Sequence, residues 1–339
     1  MRKALFIGGT GTISNAISKR CLEKGWELYL LNRGNHPLPA GAKSLCVDVN
    51  DEEKVRQLLG DLHFDVVADF IIFNVEQLER DIRLFSGRTD QYIFISSASA
   101  YQKPAVNPLI TESTPLCNPY WEYSRNKAAC EDRLMREYRE NGFPFTVVRP
   151  SHTYSERKVP VPLHGNFGSF QVVERIRQGK KVIVPGDGTS LWTLTHSNDF
   201  AKGFCGLMGN PHAIGNAYHI TSDERMTWDQ IVRITAQALG VEARIVHIPT
   251  DVLGKLNPEW VGSMAGDKSN SVWFDNTKIR RDATEFVCTT RFADGVREAL
   301  HTIYADASLQ KLDPAFDDWC DRVIAQYEAA VETLPVFEG

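Results

Sequence analysis

Tyr123 and Lys127 are four residues apart in a segment that is predicted to be helical, so both side chains lie on one face of the helix, one turn apart. An ammonium group beside a phenol stabilises the phenolate, which allows the tyrosine to act as a general base on a substrate hydroxyl. The spacing alone is weak evidence, because helices contain many tyrosines and lysines. How strongly the spacing indicates a catalytic pair depends on the strands, helices and turns around it.

A glycine-rich turn follows the first predicted strand and ends at Ser14. Glycine at positions 8 and 11 permits a tight turn and close approach of a pyrophosphate to backbone N–H groups, and the helix that starts there adds a partial positive charge. Ser14 stands where a third glycine is usual, and serine is small enough for close helix packing. The predicted cofactor contacts in this turn are Gly8, Gly11, Thr12 and Ile13.

The second predicted strand ends at Asn32-Arg33, where an NAD site usually has a carboxylate for the ribose 2′-hydroxyl. Arg33 can meet the 2′-phosphate of NADP, whereas Asn32 can also bind a free hydroxyl. NAD and NADP therefore both stay open, with a slight preference for NADP. Asp48, after the third predicted strand, is placed to accept a hydrogen bond from the adenine amino group, or it caps the helix predicted to begin at Asp51.

Short β-branched runs alternate with segments of helical periodicity in the first half of the chain. This alternation predicts a Rossmann-type α/β fold, a doubly wound parallel sheet, as a dinucleotide-binding domain at residues 1–150. Residues 151–339 contain more loops and mixed short elements, which predicts a smaller mixed α/β substrate lobe with parts returning to the first domain. The predicted strands are Lys3–Ile7, Glu27–Leu31, Ser44–Val47, Asp65–Phe70, Gln91–Ile95 and Phe145–Val148, and the predicted helices between them are Thr12–Lys24, Asp51–Leu59, Val75–Phe85 and Pro119–Asn141.

The composition, 42% hydrophobic and 24% charged, is ordinary for a soluble globular protein. The 339 residues carry a formal charge of −5 without an acidic or basic block, so a nucleic-acid partner is not expected. The first apolar run, Ala4 to Ile7, is too short for a signal peptide or a membrane span, which predicts a cytoplasmic protein without a membrane partner. Seven scattered cysteines indicate reduced thiols and no zinc site.

A run of hydroxyl residues follows the buried-strand pattern that ends at Ile95, where open α/β sheets place their ligands. With the turn and the Tyr-x-x-x-Lys pair, this run makes the chain resemble, over nearly its whole length, an extended short-chain dehydrogenase/reductase of the NAD-dependent epimerase/dehydratase family. That family's catalytic hydroxyl stands four residues before a tyrosine, which here gives Ser97 before Tyr101. Further matching segments are Phe94 to Tyr101, Ile110 to Pro115, Arg149-Pro150, Gly186-Asp187-Gly188 and Asp275 to Ile279.

The resemblance implies a mechanism in which Tyr123 takes the proton of a substrate hydroxyl while Ser97 hydrogen-bonds the same oxygen and hydride passes to the nicotinamide. Lys127 would also hold the nicotinamide ribose. Return of hydride to the other face of the transient ketone gives an epimer without net use of cofactor, which implies tightly bound NAD(P). The family also implies a homodimer formed through the helices Val75–Phe85 and Pro119–Asn141.

Departures from the family pattern bear on the reaction. Family dehydratases carry acidic residues after the catalytic hydroxyl, and this chain has Ala98-Ser99. An epimerase is therefore favoured, ahead of an NAD(P)H-dependent reductase or dehydrogenase of a small carbonyl or alcohol. A non-catalytic dinucleotide- or RNA-binding relative is the third alternative.

Other departures bear on the substrate. Trp192 replaces the arginine that grips a nucleotide-sugar diphosphate, and the loss of that cation favours a nucleoside or an unphosphorylated sugar over a nucleotide sugar. Trp192 stacks on a base or sugar ring, or it packs at the interface between the two predicted lobes. Alternative anion contacts are Arg157, Lys158 and Arg281, and further candidate substrate contacts are Ser99, His152 and His196.

Overall fold

The computed structural model describes residues 1–337 as an α/β protein. The strands are β1 (Lys3–Ile7), β2 (Glu27–Asn32), β3 (Lys43–Cys46), β4 (Val66–Asp69), β5 (Tyr92–Ile95), β6 (Leu109–Ile110), β7 (Phe145–Pro150), β8 (His152–Tyr154), β9 (Lys181–Pro185), β10 (Leu191–Trp192), β11 (Leu194–His196), β12 (Asn216–Ile220), β13 (Met226–Thr227), β14 (Arg244–Ile248) and β15 (Trp273–Phe274). The helices are α1 (Thr12–Glu23), α2 (Glu52–Leu59), α3 (Val75–Phe85), α4 (Glu122–Asn141), α5 (Phe170–Arg177), α6 (Ser197–Leu207), α7 (Trp228–Ala238), α8 (Thr250–Leu256), α9 (Trp260–Ser263), α10 (Thr277–Asp282), α11 (Phe292–Ala305) and α12 (Pro314–Glu332). None of the helices within residues 1–337 has both the length and the apolarity needed to cross a membrane.

A seven-stranded parallel sheet has the order β12-β7-β5-β4-β1-β2-β3. The chain starts in the middle of the sheet at β1 and adds strands on both sides, which makes the boundary between β1 and β4 a topological switch point. Ile7 pairs with Leu31 on one side and with Asp69 on the other, so the carboxyl ends of these three strands lie level. The predicted Rossmann-type, doubly wound fold is confirmed.

The two faces of the sheet carry separate hydrophobic cores, because successive side chains of a strand point to opposite faces. Ala4 and Phe6 of β1 belong to one core, with residues of α1 and α6. Leu5 and Ile7 belong to the other, with residues of α2, α3 and α4. Helices on both faces explain why the strands of this sheet are continuous apolar runs.

The chain divides into two compact units. Unit 1 comprises Met1–Thr153, Thr193–Asp223 and Trp273–Thr290, and it contains the seven-stranded sheet. Unit 2 comprises Tyr154–Trp192, Glu224–Val272 and the described chain from Arg291 onward. In unit 2, β9 and β14 pair in parallel and α12 packs on α5 and β9.

One predicted helix begins later than expected. The sequence predicts a helix from Pro119, but α4 starts at Glu122, because Trp121 before it has an extended backbone (φ −128°, ψ 118°). Asn118 accepts a hydrogen bond from the Tyr120 amide and so forms a turn ahead of the helix. Tyr123 therefore lies in the first turn of α4, at the positive end of the helix dipole, which favours a phenolate.

Candidate functional site

The glycine-rich turn is held closed by Ser14. Its hydroxyl donates to the Gly8 carbonyl at 2.8 Å and accepts from the Gly11 amide at 2.8 Å. Gly8 has a φ of 77°, and a Cβ there would lie 2.6 Å from the Cγ2 atom of Ile71. Ser14 thus stabilises the turn through two hydrogen bonds, a role that its small size alone did not predict.

A cleft of about 380 Å³ opens in unit 1 beside the carboxyl ends of β1 and β2. Gly11 is the N-cap residue of α1, and Thr12 follows it as the first helical residue, both exposed to solvent. The first amide groups of this helix lack partners within the helix, as at any helix N-terminus, and they favour an anion. The residues that line the cleft are Ile7, Gly8, Thr10, Leu31, Asn32, Arg33, Asn35, His36, Val47, Asp48, Val49, Asn50, Ile71, Phe73, Gln77 and Arg80.

The cleft wall contains one unsatisfied donor. The Asn32 Oδ1 atom accepts a hydrogen bond from the Gly34 amide at 2.9 Å, which fixes the orientation of the side-chain amide. Its Nδ2 atom is buried and has no acceptor among residues 1–337. Arg33 and His36 in the same wall are exposed. This part of the wall, at the end of β2, therefore offers hydrogen-bond donors and a cation at the position where an NAD site usually has a carboxylate.

Asp48 lines the same cleft and does not cap the following helix. Its carboxylate accepts from the Asn50 amide at 2.9 Å, whereas the N-cap of α2 is Asp51, which accepts from the Lys54 amide at 3.2 Å. The capping alternative for Asp48 is therefore wrong. A contact between Asp48 and adenine stays a prediction.

Lys127 is fixed between the ends of β4 and β5. Its Nζ atom donates to the Ile95 carbonyl at 2.7 Å and also to the Ile72 carbonyl, and the residue is 2% exposed. Burial lowers the pKa of this ammonium group to about 8. The Nζ atom lies 5.6 Å from the centroid of the Tyr123 ring, so the two residues of the Tyr-x-x-x-Lys pair are neighbours in the fold.

A chain of hydroxyl groups leads to Ser97. Ser124, the residue after Tyr123, donates to the Ser99 Oγ atom at 2.7 Å, and Ser99 and Ser97 are 2.8 Å apart through their Oγ atoms. Either hydroxyl can donate the hydrogen bond between Ser97 and Ser99, and Ser97 also accepts from the Ser99 amide at 3.2 Å.

The hydroxyl chain changes the interpretation of Ser99. Ser99 is 3% exposed, and its oxygen is engaged by Ser97 and Ser124. Its burial and its two hydroxyl partners indicate that Ser99 orients Ser97, and a contact between Ser99 and substrate stays a prediction. Ser124 has no motif of its own, and only its position next to Tyr123 could have drawn attention to it.

A buried ion pair ties α4 to the sheet. Glu131 accepts from the Ser96 hydroxyl at 2.5 Å and from the Arg149 Nη2 atom at 2.5 Å, and both charged residues are about 5% exposed. Arg149 also donates to the Tyr101 hydroxyl at 3.0 Å. The pair fixes α4, which carries the tyrosine and the lysine, against β7, and the Ser96 bond fixes the same helix to the end of β5, directly before Ser97. Sequence reasoning missed Glu131 because α4 is rich in charged residues that resemble a solvated face.

A second buried charge cluster lies at the end of β4. Arg80 donates to Asp69 at 3.1 Å and to Asp81 at 2.7 Å, and Tyr92 donates to Asp81 at 2.7 Å. Burial, together with the neighbouring Asp81 carboxylate, raises the pKa of Asp69 well above its usual range. Arg80 reaches the cleft wall through Asn50, at 2.8 Å. The sequence pattern did not indicate this cluster, because its members lie on three different elements, β4, α3 and β5, and only the packing of α3 on the sheet brings them together.

The remaining predicted substrate residues are Trp192, His196 and His152. Trp192 is 5% exposed, and its ring centroid lies 4.9 Å from that of Trp228 inside unit 2. This packing favours a structural role for Trp192, and stacking on a substrate stays a prediction. His196 is 2% exposed, and its Nδ1 atom accepts from the Asn198 amide at the start of α6. His152 is half-buried in β8.

Comparisons with known proteins agree with this geometry. The chain is 28% identical over 262 residues to the chloroplast stem-loop binding protein of 41 kDa b from Arabidopsis thaliana, covering 73% of this chain and 66% of that protein. It is 25% identical over 199 residues to an uncharacterised UDP-glucose epimerase from Bacillus subtilis, covering 58% of this chain and 59% of the relative. The matches thus span less than two thirds of the length of these two relatives.

The fold matches solved structures of sugar-nucleotide enzymes. A UDP-glucuronic acid 4-epimerase from Bacillus cereus, in complex with UDP-glucuronic acid and NAD, superposes with a TM-score of 0.72 over 89% of this chain and 99% of that chain, at 17% identity. At this identity the likeness concerns the fold alone. The family model described as "NAD dependent epimerase/dehydratase family" matches residues 4–221, which is more than half of the chain. The chain therefore belongs to the NAD-dependent epimerase/dehydratase family.

Proposed function

We propose that this protein is an NAD(P)-dependent epimerase that inverts a hydroxyl-bearing carbon of a sugar or sugar-containing substrate through a transient ketone. The observation that carries the proposal is the set of contacts around Ser97, Tyr123 and Lys127, in which the ammonium lies beside the phenol ring and a chain of hydrogen-bonded hydroxyls connects Ser124, next to Tyr123, with Ser97. The UDP-glucose epimerase named among its relatives supports a sugar substrate. The absence of an acid after Ser97 speaks against elimination of water.

In this proposal each side chain has one task. Tyr123 accepts the proton of the substrate hydroxyl as a general base, and Lys127 stabilises the resulting phenolate. Ser97 donates a hydrogen bond to the same substrate oxygen, whose negative charge grows as the proton leaves. Bound NAD(P) supplies hydride transfer at its nicotinamide. The cleft residues fit the cofactor, because the Gly8–Ser14 turn and the N-terminus of α1 suit a pyrophosphate.

A direct assay separates this function from its alternatives. Protein supplemented with NADP⁺ or NAD⁺ is mixed with UDP-glucose and, separately, with UDP-glucuronic acid, glucose and uridine, and the products are followed by proton NMR. We expect an epimer to accumulate while the amount of reduced cofactor stays constant. Stoichiometric consumption of NADPH or NADH with a carbonyl substrate would instead identify a reductase.

We further propose NADP as the preferred cofactor, on the basis of the cleft wall. Asn32→Asp puts a carboxylate where the ribose 2′ position binds in related folds, so it repels a 2′-phosphate and accepts from a free hydroxyl. Isothermal titration calorimetry is expected to show NADP⁺ affinity falling by about 10- to 100-fold and NAD⁺ affinity rising. Asn35→Asp places the same charge elsewhere in the cleft and serves as the control. Equal losses of NADP⁺ affinity in Asn32→Asp and Asn35→Asp would contradict the assignment of NADP as the preferred cofactor. A wild-type protein that binds NAD⁺ more tightly than NADP⁺ would also contradict it.

The name of the Arabidopsis relative supports a second candidate, binding of an RNA stem-loop. The formal charge of −5 and the even distribution of charges disfavour it, because nucleic-acid affinity rests on clustered cations. A stem-loop RNA titrated at low salt is expected to give no saturable binding. Saturable binding together with no turnover of any of the sugars would favour this candidate.

We also propose that the protein is a homodimer joined through α3 and α4, as its family implies. Sedimentation velocity measures this directly. A single species with the mass of the monomer at micromolar concentration would contradict it.

A further inference from the structure

Phe73 is a large apolar side chain in the wall of the cleft in unit 1, and no step of the proposed mechanism uses it. The residue is 49% exposed and lies in the segment between β4 and α3. Its backbone is fixed there, because its amide donates to the Gln77 Oε1 atom at 2.6 Å and the next residue, Asn74, caps α3. The ring therefore projects from a well-anchored segment of the cleft wall.

The ring of Phe73 faces the ammonium group of Lys127. The Nζ atom lies 5.1 Å from the ring centroid, within the distance of about 6 Å at which an aromatic face attracts a cation. The rings of Phe94, at 5.1 Å, and Tyr123, at 5.6 Å, lie around the same ammonium group. Of these three aromatic residues, Phe73 is the one that lines the cleft.

The hydrogen bonds of Lys127 fix the ammonium group at this place. Its acceptors are the main-chain carbonyls of Ile95 and Ile72, and Ile72 is the residue directly before Phe73. The segment that supplies the ring thus also supplies an acceptor. The buried ammonium group contacts neutral carbonyls and the electron-rich faces of aromatic rings.

Several charged and titratable groups act on Lys127. Asp69 of β4, together with Glu131 and the Cys130 thiol of α4, raises the pKa of this ammonium group. Burial lowers the pKa more strongly, and the net result is a pKa of about 8. Phe73 contributes in both directions, because it excludes water and also presents its ring face to the cation. The charged fraction of Lys127 near pH 8 therefore depends on this ring.

The same ring lies beside the proposed general base. The centroids of the Phe73 and Tyr123 rings are 6.5 Å apart, and the Trp121 ring lies 4.9 Å from that of Tyr123. One side chain of the cleft wall is therefore adjacent to both members of the Tyr-x-x-x-Lys pair, although it lies outside their helix.

We propose that Phe73 is a positioning residue for the Tyr123/Lys127 pair, whose ring holds the Lys127 ammonium group by a cation–π contact and separates the pair from water in the cleft. This rests on the proposed function, to which it adds a side chain that acts through Lys127 and Tyr123. Loss of the ring face removes a contact that favours the charged lysine, whereas loss of the whole side chain lets water reach the ammonium group.

Three substitutions of Phe73 separate these two effects. Phe73→Leu keeps an apolar cover without a ring face and is expected to lower the pKa of Lys127 by about 0.5 to 1. Phe73→Ala removes the cover as well, so hydration is expected to raise the pKa toward its usual range. Phe73→Tyr keeps the ring face and is expected to retain the wild-type pKa. Leu58→Ala, at a 47% exposed position of α2 in unit 1, is the control and is expected to have no effect.

NMR of the full chain with lysine labelled at ¹³Cε measures this titration without cofactor or substrate. The signal of Lys127 is the one that is missing from Lys127→Met. Because the titration needs no turnover, it reports on Phe73 even if the protein epimerises none of the sugars, an outcome that would refute only the proposed function.

The pH dependence of turnover is a second readout. A lysine that is charged to a smaller extent stabilises the phenolate of Tyr123 less, so the pKa of the base rises. In Phe73→Leu, the acidic limb of the kcat profile at saturating cofactor is therefore expected to move to higher pH, with the KM for the sugar unchanged. Phe73→Tyr is expected to keep the wild-type profile.

An unchanged pKa of Lys127 in both Phe73→Leu and Phe73→Ala would overturn the inference, as would equal shifts in Phe73→Leu and Phe73→Tyr. Slower turnover in Phe73→Leu with the wild-type pKa of Lys127 and the wild-type pH profile would show a purely structural role for the ring, and it would also overturn the inference.

Discussion

Tyr123→Phe is expected to lower the rate of epimerisation by about 10²- to 10⁴-fold, because it removes the hydroxyl that acts as the general base. The ring keeps its contacts with Trp121, at 4.9 Å between centroids, and with Phe73, at 6.5 Å. Cofactor affinity and the free energy of unfolding are therefore expected to change little. The rate is measured with the NMR assay and the cofactor affinity by calorimetry.

Tyr138→Phe is the matched control for this prediction. Tyr138 lies on the same helix, α4, and is 39% exposed. Loss of its hydroxyl is expected to leave the rate unchanged. If Tyr123→Phe retains the wild-type rate, Tyr123 is not the base and the proposed mechanism is wrong.

Glu131→Gln is expected to cost about 3 to 5 kcal/mol of stability, because it leaves the buried Arg149 guanidinium without its counter-charge. Gln has nearly the same shape as Glu, so the change removes charge and keeps packing. The loss falls toward the lower end of the range, since Arg149 keeps the Tyr101 hydroxyl and the Glu112 carbonyl as acceptors. The midpoint of urea unfolding measures the effect.

A second ion pair of the same helix provides the control. Glu79→Gln breaks the pair between Glu79 and Arg133, whose side chains are 36% and 20% exposed, and is expected to cost at most about 1 kcal/mol. The double variant Glu131→Gln/Arg149→Met removes both buried charges and is expected to recover part of the loss. Similar costs for Glu131→Gln and Glu79→Gln would show that the buried pair does not stabilise the fold.

Local patterns predicted the central sheet well. The apolar run at Lys3–Ile7, followed directly by glycines, identifies a buried strand that turns into a helix, and β1 has exactly these bounds. The Tyr-x-x-x-Lys spacing placed two side chains on one helix face, because helical geometry relates residues four apart. In both cases the signal lies within a few residues of the chain.

Features that depend on distant residues were not predictable in the same way. Ser124 and Glu131 act through Ser99 and Arg149, which are 25 and 18 residues away, and only the packed fold brings these pairs together. The same holds for Phe73, which lies before α3 and whose ring faces the Lys127 ammonium group on α4. The periodicity of a helix shows which face is polar, but it does not show which polar group that face will meet.

The discontinuity of unit 1 has a consequence for biosynthesis. Its sheet gains β12 only when residues 216–220 have left the ribosome, and the core beneath β1 needs Phe200 and Phe204 of α6. A fragment that ends at residue 150 would therefore present an unpaired strand edge at β7 and an uncovered apolar face. During translation this surface stays open until the later segments arrive, which makes the nascent chain a substrate for chaperones that shield apolar surface.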